Sequence, residues 1–307
     1  MPSSTAPTGS FAIFGKHPSA VDHTAGLGFG TTSLVEFRRR FYAEALAGCI
    51  SRSVWKDLPD SGAVAYDHYV LTLSNTGWIA AHFCQSSDAS GRGQYPLVVC
   101  CDVADHELLR AGDAVWDWLD VQMTRARHSR QLDEVHAEGQ QSLLRQLAKW
   151  RALPPAAWER SAWVDRIEGE HLKRLTRVIH ALSPEGADAR RVRIPLPENG
   201  GASIALWGSL LHFFLPADFI SLMWRKGAAQ ADAGLSPPTL ELLKCLFAPP
   251  EKVERAPEVP ASAAHFHSWV RSELREWLAD DALFPDRLSG GGNFLTRLIR
   301  RFGQAQN

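Results

Sequence analysis

The chain has 307 residues, 45% hydrophobic and 22% charged, which leaves ample material for a buried core and excludes wholesale disorder, collagen-like repeats and coiled coils. Lys and Arg total 33 against 34 Asp and Glu, a net charge of -1, so no overall field gathers nucleic acid or an anionic membrane. Five Cys residues without regular spacing read as reduced core thiols of a cytoplasmic protein, and the neighbours Cys100 and Cys101 point to opposite faces if they lie on a strand.

Residues 1–10 are polar and small, lack the charged start and apolar stretch of a signal peptide, and read as a flexible tail. Residues 11–14 form a short apolar strand stopped by Gly15 and Pro18. Thr32 or Ser33 can cap one amphipathic helix whose apolar face is Leu34, Phe37, Phe41, Ala45, Leu46 and Cys49. Residues 64–73 and 78–84 are extended patterns around the turn Asn75-Thr76-Gly77, a β-hairpin. Residues 96–103 are apolar on both faces and predict a central strand, with Pro96 permitted at its start.

Helical spacing then returns over 106–127, 132–150 and 170–182, a helical insertion spanning 106–182. Residues 193–196 and 202–207, with 210–215 as a further candidate, read as strands that extend or rejoin the first sheet. Pro216 opens a predicted helix to 226, and Ser236-Pro237 starts another at 239–247. Residues 202–224 are the longest apolar stretch, but a spanning helix there would bury Asp218 at a cost of roughly 3 kcal/mol. The organisation expected is one domain over 11–248, a Pro- and Glu-rich linker over 249–263, and an amphipathic helical tail over 264–307. The last helix carries Arg297, Arg300 and Arg301 beside an apolar face. It can dock on its own domain, on a partner or peripherally on a membrane.

No complete catalytic set is present. Gly9 to Lys16 imitates a phosphate loop, but the glycine spacing is one too long and His17 stands where a magnesium-binding hydroxyl belongs. The Gly-x-Ser-x-Gly nucleophile elbow is absent, and no Cys-x-x-Cys pair offers structural zinc. His17, Asp22 and His23, with Lys16 and Ser19 beside them, are the densest polar cluster, and either cap a loop or hold an acid-base or metal site together with Arg92. The five donors of Arg92 suit a pairing with Asp22 or Asp88 that ties two polar loops together.

Residues 14–23, Phe-Gly-Lys-His-Pro-Ser-Ala-Val-Asp-His, resemble the Gly-Lys-x-Pro-Ser-x-Gly-Asp-Phe opening of the TagF (ImpM) family associated with type VI secretion systems. Gly77-Trp78, then Asp88-Ala89-Ser90-Gly91-Arg92 and Tyr95-Pro96-Leu97, resemble its Gly-Trp followed by Asp-x-x-Gly-Arg-x-Phe-Pro-Leu. A weaker echo is Ser203 to Trp207, similar to a late Ser-x-x-Trp strand. Val21 replaces the family glycine, His23 replaces the aromatic, and one residue is extra between Arg92 and Pro96.

The resemblance implies an α/β fold with a mainly antiparallel sheet flanked by helices, longin- or profilin-like. It implies a cytoplasmic accessory protein without enzymatic activity, cofactor or metal, which restrains or adapts assembly of the secretion apparatus by binding a forkhead-associated scaffold protein or other cytoplasmic secretion components. Its motif positions here are Gly15, Lys16, Pro18, Ser19, Asp22, Trp78, Asp88, Gly91, Arg92 and Pro96. The alternative is a metal-dependent or hydrolytic enzyme using His17, Asp22, His23 and Arg92.

Overall fold

The computed structural model describes residues 9–24, 26–52, 66–74, 77–104, 107–108, 111–152, 176–179, 191–195, 204, 207–208, 211–212, 220–228, 230–234, 243, 268, 270 and 272. They form an α/β fold around a seven-stranded sheet in the order β1-β4-β3-β2-β6-β7-β5. The strands are β1 (Phe11–Gly15), β2 (Asp67–Ser74), β3 (Gly77–Cys84), β4 (Leu97–Val103), β5 (Arg191–Pro195), β6 (Ile220–Arg225) and β7 (Gln230–Gly234), and every neighbouring pair is antiparallel. The expected hairpin is β2–β3, paired from Asp67↔Cys84 to Ser74↔Gly77.

Strand alternation divides the core into two layers. Phe11, Ile13, Leu71, Trp78, Leu97, Val99 and Cys101 face one side, where they meet α3 (Ala114–His128) and α4 (Leu132–Ala152). Ala12, Phe14, Val70, Ile79, Ala81, Val98 and Cys100 face the other, covered by a helical run from Thr32 to Ser51. Cys100 and Cys101 thus do point to opposite faces. That run is α1 (Thr32–Phe37) and α2 (Ala47–Ser51), joined without a break by π-helical turns over Arg38–Leu46. Its buried face contains every apolar residue the spacing selected, plus Tyr42. The cap is Thr31, one residue earlier than expected, whose hydroxyl accepts from the Leu34 amide at 3.4 Å.

The open edge of β1 is closed from within the chain, which removes a template for unwanted strand pairing. Ile13 exchanges two backbone hydrogen bonds with Leu27. From α4, Gln140 accepts from the Phe11 amide at 2.8 Å and His136 lies 2.9 Å from the Phe11 carbonyl.

The late segments differ from the reading of the sequence. Ile204, Trp207, Gly208, Leu211 and His212 are helical, not strand. Their spacing of three and four puts Ile204 and Leu211, both buried, in one core layer, and a side chain at Gly208 would meet the Trp78 ring at 2.9 Å. Residues 220–225, expected within a helix, are β6. Ile220, Leu222 and Trp224 enter one core layer and Met223 the other, so an apolar run on both faces imitated a helix. Strand β7, with Ala231 and Ala233 inward, lacks β-branched and aromatic residues and gave no strand signal. Thr176–Ile179 and Leu243 are helical, as expected.

Val270 is helical and fully buried in the larger core layer, so that part of the expected tail packs on the domain. The linker over 249–263 and the last helix lie outside the described residues. No helix among the described residues is long and apolar enough to cross a membrane.

Candidate functional site

Strands β1 and β4 pair so that Gly15, the last residue of one, lies opposite Leu97, the first of the other. Gly15 has φ 112°, and a Cβ there would stand 2.2 Å from the Pro96 carbonyl oxygen, so only glycine fits. That same oxygen accepts from the Lys16 amide at 3.2 Å and from the Tyr42 hydroxyl at 3.2 Å. The chain leaves as a loop over 17–22 and returns through the antiparallel bridge of Lys16 with His23 and the Thr24 amide bond to the Gly15 carbonyl at 2.8 Å. Within it the Ala20 amide donates to the His17 carbonyl at 3.0 Å, a turn whose second residue is Pro18, where a fixed φ suits the geometry.

The second loop, over 85–96, closes on Asp88. Its Oδ1 accepts from the Ser90 amide at 2.9 Å and the Arg92 amide at 3.0 Å, while the Gly91 amide donates to the Asp88 carbonyl at 2.9 Å. Gly91 has φ 78°, the left-handed conformation this turn needs. The two loops are joined by the Ala89 amide, which donates to the Ala20 carbonyl at 2.8 Å.

A four-charge knot lies between them. Lys16 Nζ donates to Asp88 Oδ2 at 2.8 Å and to Asp22, and Arg92 Nε donates to the same Asp88 oxygen at 2.7 Å. Arg92 Nη2 reaches the Val21 carbonyl at 2.9 Å and stands 3.6 Å from Asp22. The Lys16 and Asp88 side chains are 5% and 0% exposed, so neither charge is solvated and each depends on the other. The Lys16 ammonium, the Asp88 amide bonds and Arg92 hold the Asp88 carboxyl well below the usual carboxylate range, against burial. Burial acts to lower the Lys16 pKa, but bonds to Asp22 and Asp88 outweigh it and raise it. Two cations and two anions leave the knot with no net charge.

What the knot presents outward is Pro18, Ser19, Val21, Asp22 and His23 from one loop and Ala89, Ser90, Gly91, Arg92 and Gln94 from the other. Val21 is 78% exposed, at the apex of a loop whose neighbours are fixed. His23 takes the place of an aromatic anchor by packing edge-on against Tyr95, ring centres 4.9 Å apart, and Tyr42, 5.9 Å.

The structure therefore brings together Gly15, Lys16, Asp22, Asp88, Gly91, Arg92 and Pro96, with Pro18 and Ser19 in the adjoining turn. Trp78 is not among them. It pairs with Val103 at the other end of β3 and is a fully buried core residue whose indole N–H has no hydrogen-bond partner among the described residues. Of the four residues of the enzyme alternative, Asp22, His23 and Arg92 are neighbours, with Asp22 3.2 Å from the His23 ring. His17 turns away. Its Nε2 donates to the Ala126 carbonyl in the last turn of α3 at 2.9 Å, and its Nδ1 accepts from the Ser19 hydroxyl at 2.7 Å and amide at 3.1 Å. Burial pushes its pKa down, the Ala126 bond opposing.

A second polar group at the same end of the sheet escaped the sequence reading. His82 lies between Asp67, 3.0 Å from Nε2, and Asp120, 3.1 Å from Nδ1. Asp120 also accepts from the Tyr69 hydroxyl at 2.5 Å and from Lys226 Nζ at 2.5 Å. Burial raises the Asp120 pKa, but His82, Lys226 and Tyr69 outweigh it and bring it down to about 2. The available signal was a lone histidine in the apolar run of β3. Among the described residues no three His, Cys, Asp or Glu side chains are arranged to hold a metal. Comparison of the chain with protein-family models, with curated proteins and with solved structures finds no match, so the family resemblance rests on the motif residues alone.

Proposed function

We propose that the protein is a non-catalytic regulatory adaptor of a type VI secretion system, working in the cytoplasm by binding a forkhead-associated scaffold protein and restraining or adapting assembly. One observation carries the reading: motif residues 72 positions apart in sequence, Lys16 and Asp88, meet in a buried ion pair that rigidifies two loops and leaves Val21, Asp22 and Arg92 exposed. Buried charge of this kind is better suited to fixing one conformation than to adding stability. A pre-ordered exposed valine beside a guanidinium has the form of an interface anchor, because little ordering entropy remains to oppose docking.

The test is co-purification of the tagged full chain with secretion-system cytoplasmic components, comparing wild type with Val21→Asp. The exposed site lets the variant fold, and loss of the partner with an unchanged melting curve is the expected outcome. Retention of the same partner by Val21→Asp, or no secretion-system partner with secretion unaltered on deletion, overturns the reading.

A further inference from the structure

The turn at His17 has an arrangement that the regulatory reading does not use. A hydroxyl, a ring nitrogen and a carbonyl stand in line: Ser19 Oγ is 2.7 Å from His17 Nδ1, and His17 Nε2 is 2.9 Å from the Ala126 oxygen. A carbonyl only accepts, so Nε2 carries the hydrogen and Nδ1 holds the lone pair that receives the Ser19 proton. This is the relation of nucleophile, base and base-orienting group that activates a serine. We infer that Ser19 is an activated nucleophile that accepts an acyl group from an activated carboxylic ester.

Three features support this. First, the imidazole is neutral at rest, since it is buried at 2% exposure with no carboxylate on it among the described residues, while Ser19 itself is exposed to a reagent. Second, the imidazolium formed during attack is not abandoned in an apolar site. The Ala126 carbonyl belongs to the last turn of α3, where carbonyls lack helical partners and the helix end favours positive charge. Third, Pro18 and the Ala20-to-His17 bond set the turn in advance, so little ordering precedes attack; the Ser19 amide shares the Nδ1 lone pair at 3.1 Å and releases it as the hydroxyl proton arrives from the nearer Oγ.

In the step, Ser19 Oγ bonds to the carbonyl carbon as its proton passes to His17 Nδ1. The bond to the leaving alkoxide then breaks, and the proton leaves with the alcohol. The products are acyl-Ser19 and a free alcohol, with His17 neutral again. The charged neighbours do not supply the base: Lys16 is engaged by Asp22 and Asp88, Arg125 pairs with Glu138, and His128 Nδ1 lies 2.7 Å from the Thr124 carbonyl.

An alkyl fluorophosphonate reacts by the same attack and leaves a stable adduct, so it serves as the probe on the full chain. Peptide mapping should place the adduct on Ser19 about 100-fold faster than on Ser90, an exposed serine with no histidine partner among the described residues, which is the low end of the gain from a positioned base. The labelling rate should rise with pH through the depressed His17 pKa and level off above 6.5, its ordinary value. His17→Gln, which keeps a donor for Ala126 and removes the base, should lose that advantage. Equal labelling of Ser19 and Ser90, or a rate climbing without a plateau from pH 7 to 9, overturns the inference. Both readouts come from the unaltered protein, so a folding defect in the variant decides nothing, and neither readout bears on the secretion-system proposal.

Discussion

Gly15→Ala tests whether one atom can separate the two loops. The residue's φ of 112° is strained for any L side chain, at roughly 1–3 kcal/mol. The added Cβ would sit 2.2 Å from the Pro96 oxygen, a backbone atom immediately before β4 that cannot swing aside as a flexible side chain would. To relieve the overlap Pro96 must retreat, which strains the bonds its oxygen accepts from the Lys16 amide and the Tyr42 hydroxyl, each worth about 1 kcal/mol. Together these give a loss of about 3–5 kcal/mol. Equilibrium urea unfolding followed by tryptophan fluorescence measures it. Gly91→Ala is the control, because its φ of 78° carries strain but its Cβ would meet nothing within 4 Å, so the cost should be only about 1–2 kcal/mol. A loss at Gly15 no larger than that at Gly91 would refute the claim that close approach to Pro96 dictates glycine.

Two further outcomes are expected. His17 is held neutral by burial, so its contribution to stability is complete above its ordinary value of 6.5 and disappears as pH falls through its depressed pKa. Asp88, lowered chiefly by Lys16, contributes in full above 3.8 and loses that contribution on further acidification. Melting temperature should therefore decline in two stages as pH drops from 8 to 2, and a profile flat between pH 7 and 5 would contradict the His17 assignment. Trp78→Ala should cost about 3–5 kcal/mol as a fully buried ring is lost. Trp78→Phe should come within about 1 kcal/mol of wild type, since the smaller ring also removes a buried N–H that has no partner among the described residues, a group worth about 1–3 kcal/mol. Equal urea midpoints for the two variants would refute that accounting.

The first half of the sheet was legible because its strands carry locally distinctive patterns. β3 and β4 are runs bounded by Gly77 and Pro96, and α1 to α2 repeats apolar residues at helical spacing, so period and punctuation agree. The late segments were not legible, for the same reason. Ile204 and Leu211 are buried in the core and residues 220–224 are buried on both faces, and a fully buried run shows no polar face from which a period could be read. Arg92 was legible as a tie between loops because its two candidate acceptors were close to the two motifs. That Lys16 would be buried inside the knot was not, since nothing local distinguishes a buried lysine from a solvated one.

By itself the sequence determined the local elements that one period and one stop define: the β2–β3 hairpin, the central strand at Leu97–Val103, the amphipathic helical run, and the two polar loops with their charged members. Only the tertiary structure decided which charges meet. The antiparallel pairing of β1 with β4 lays Gly15 beside Leu97, and this register alone delivers Lys16 to Asp88, joins the loops, and turns His17 away to the end of α3. Pairing across 72 residues is fixed by strand order and by which faces must be buried, quantities that belong to the whole sheet and to no segment of the chain.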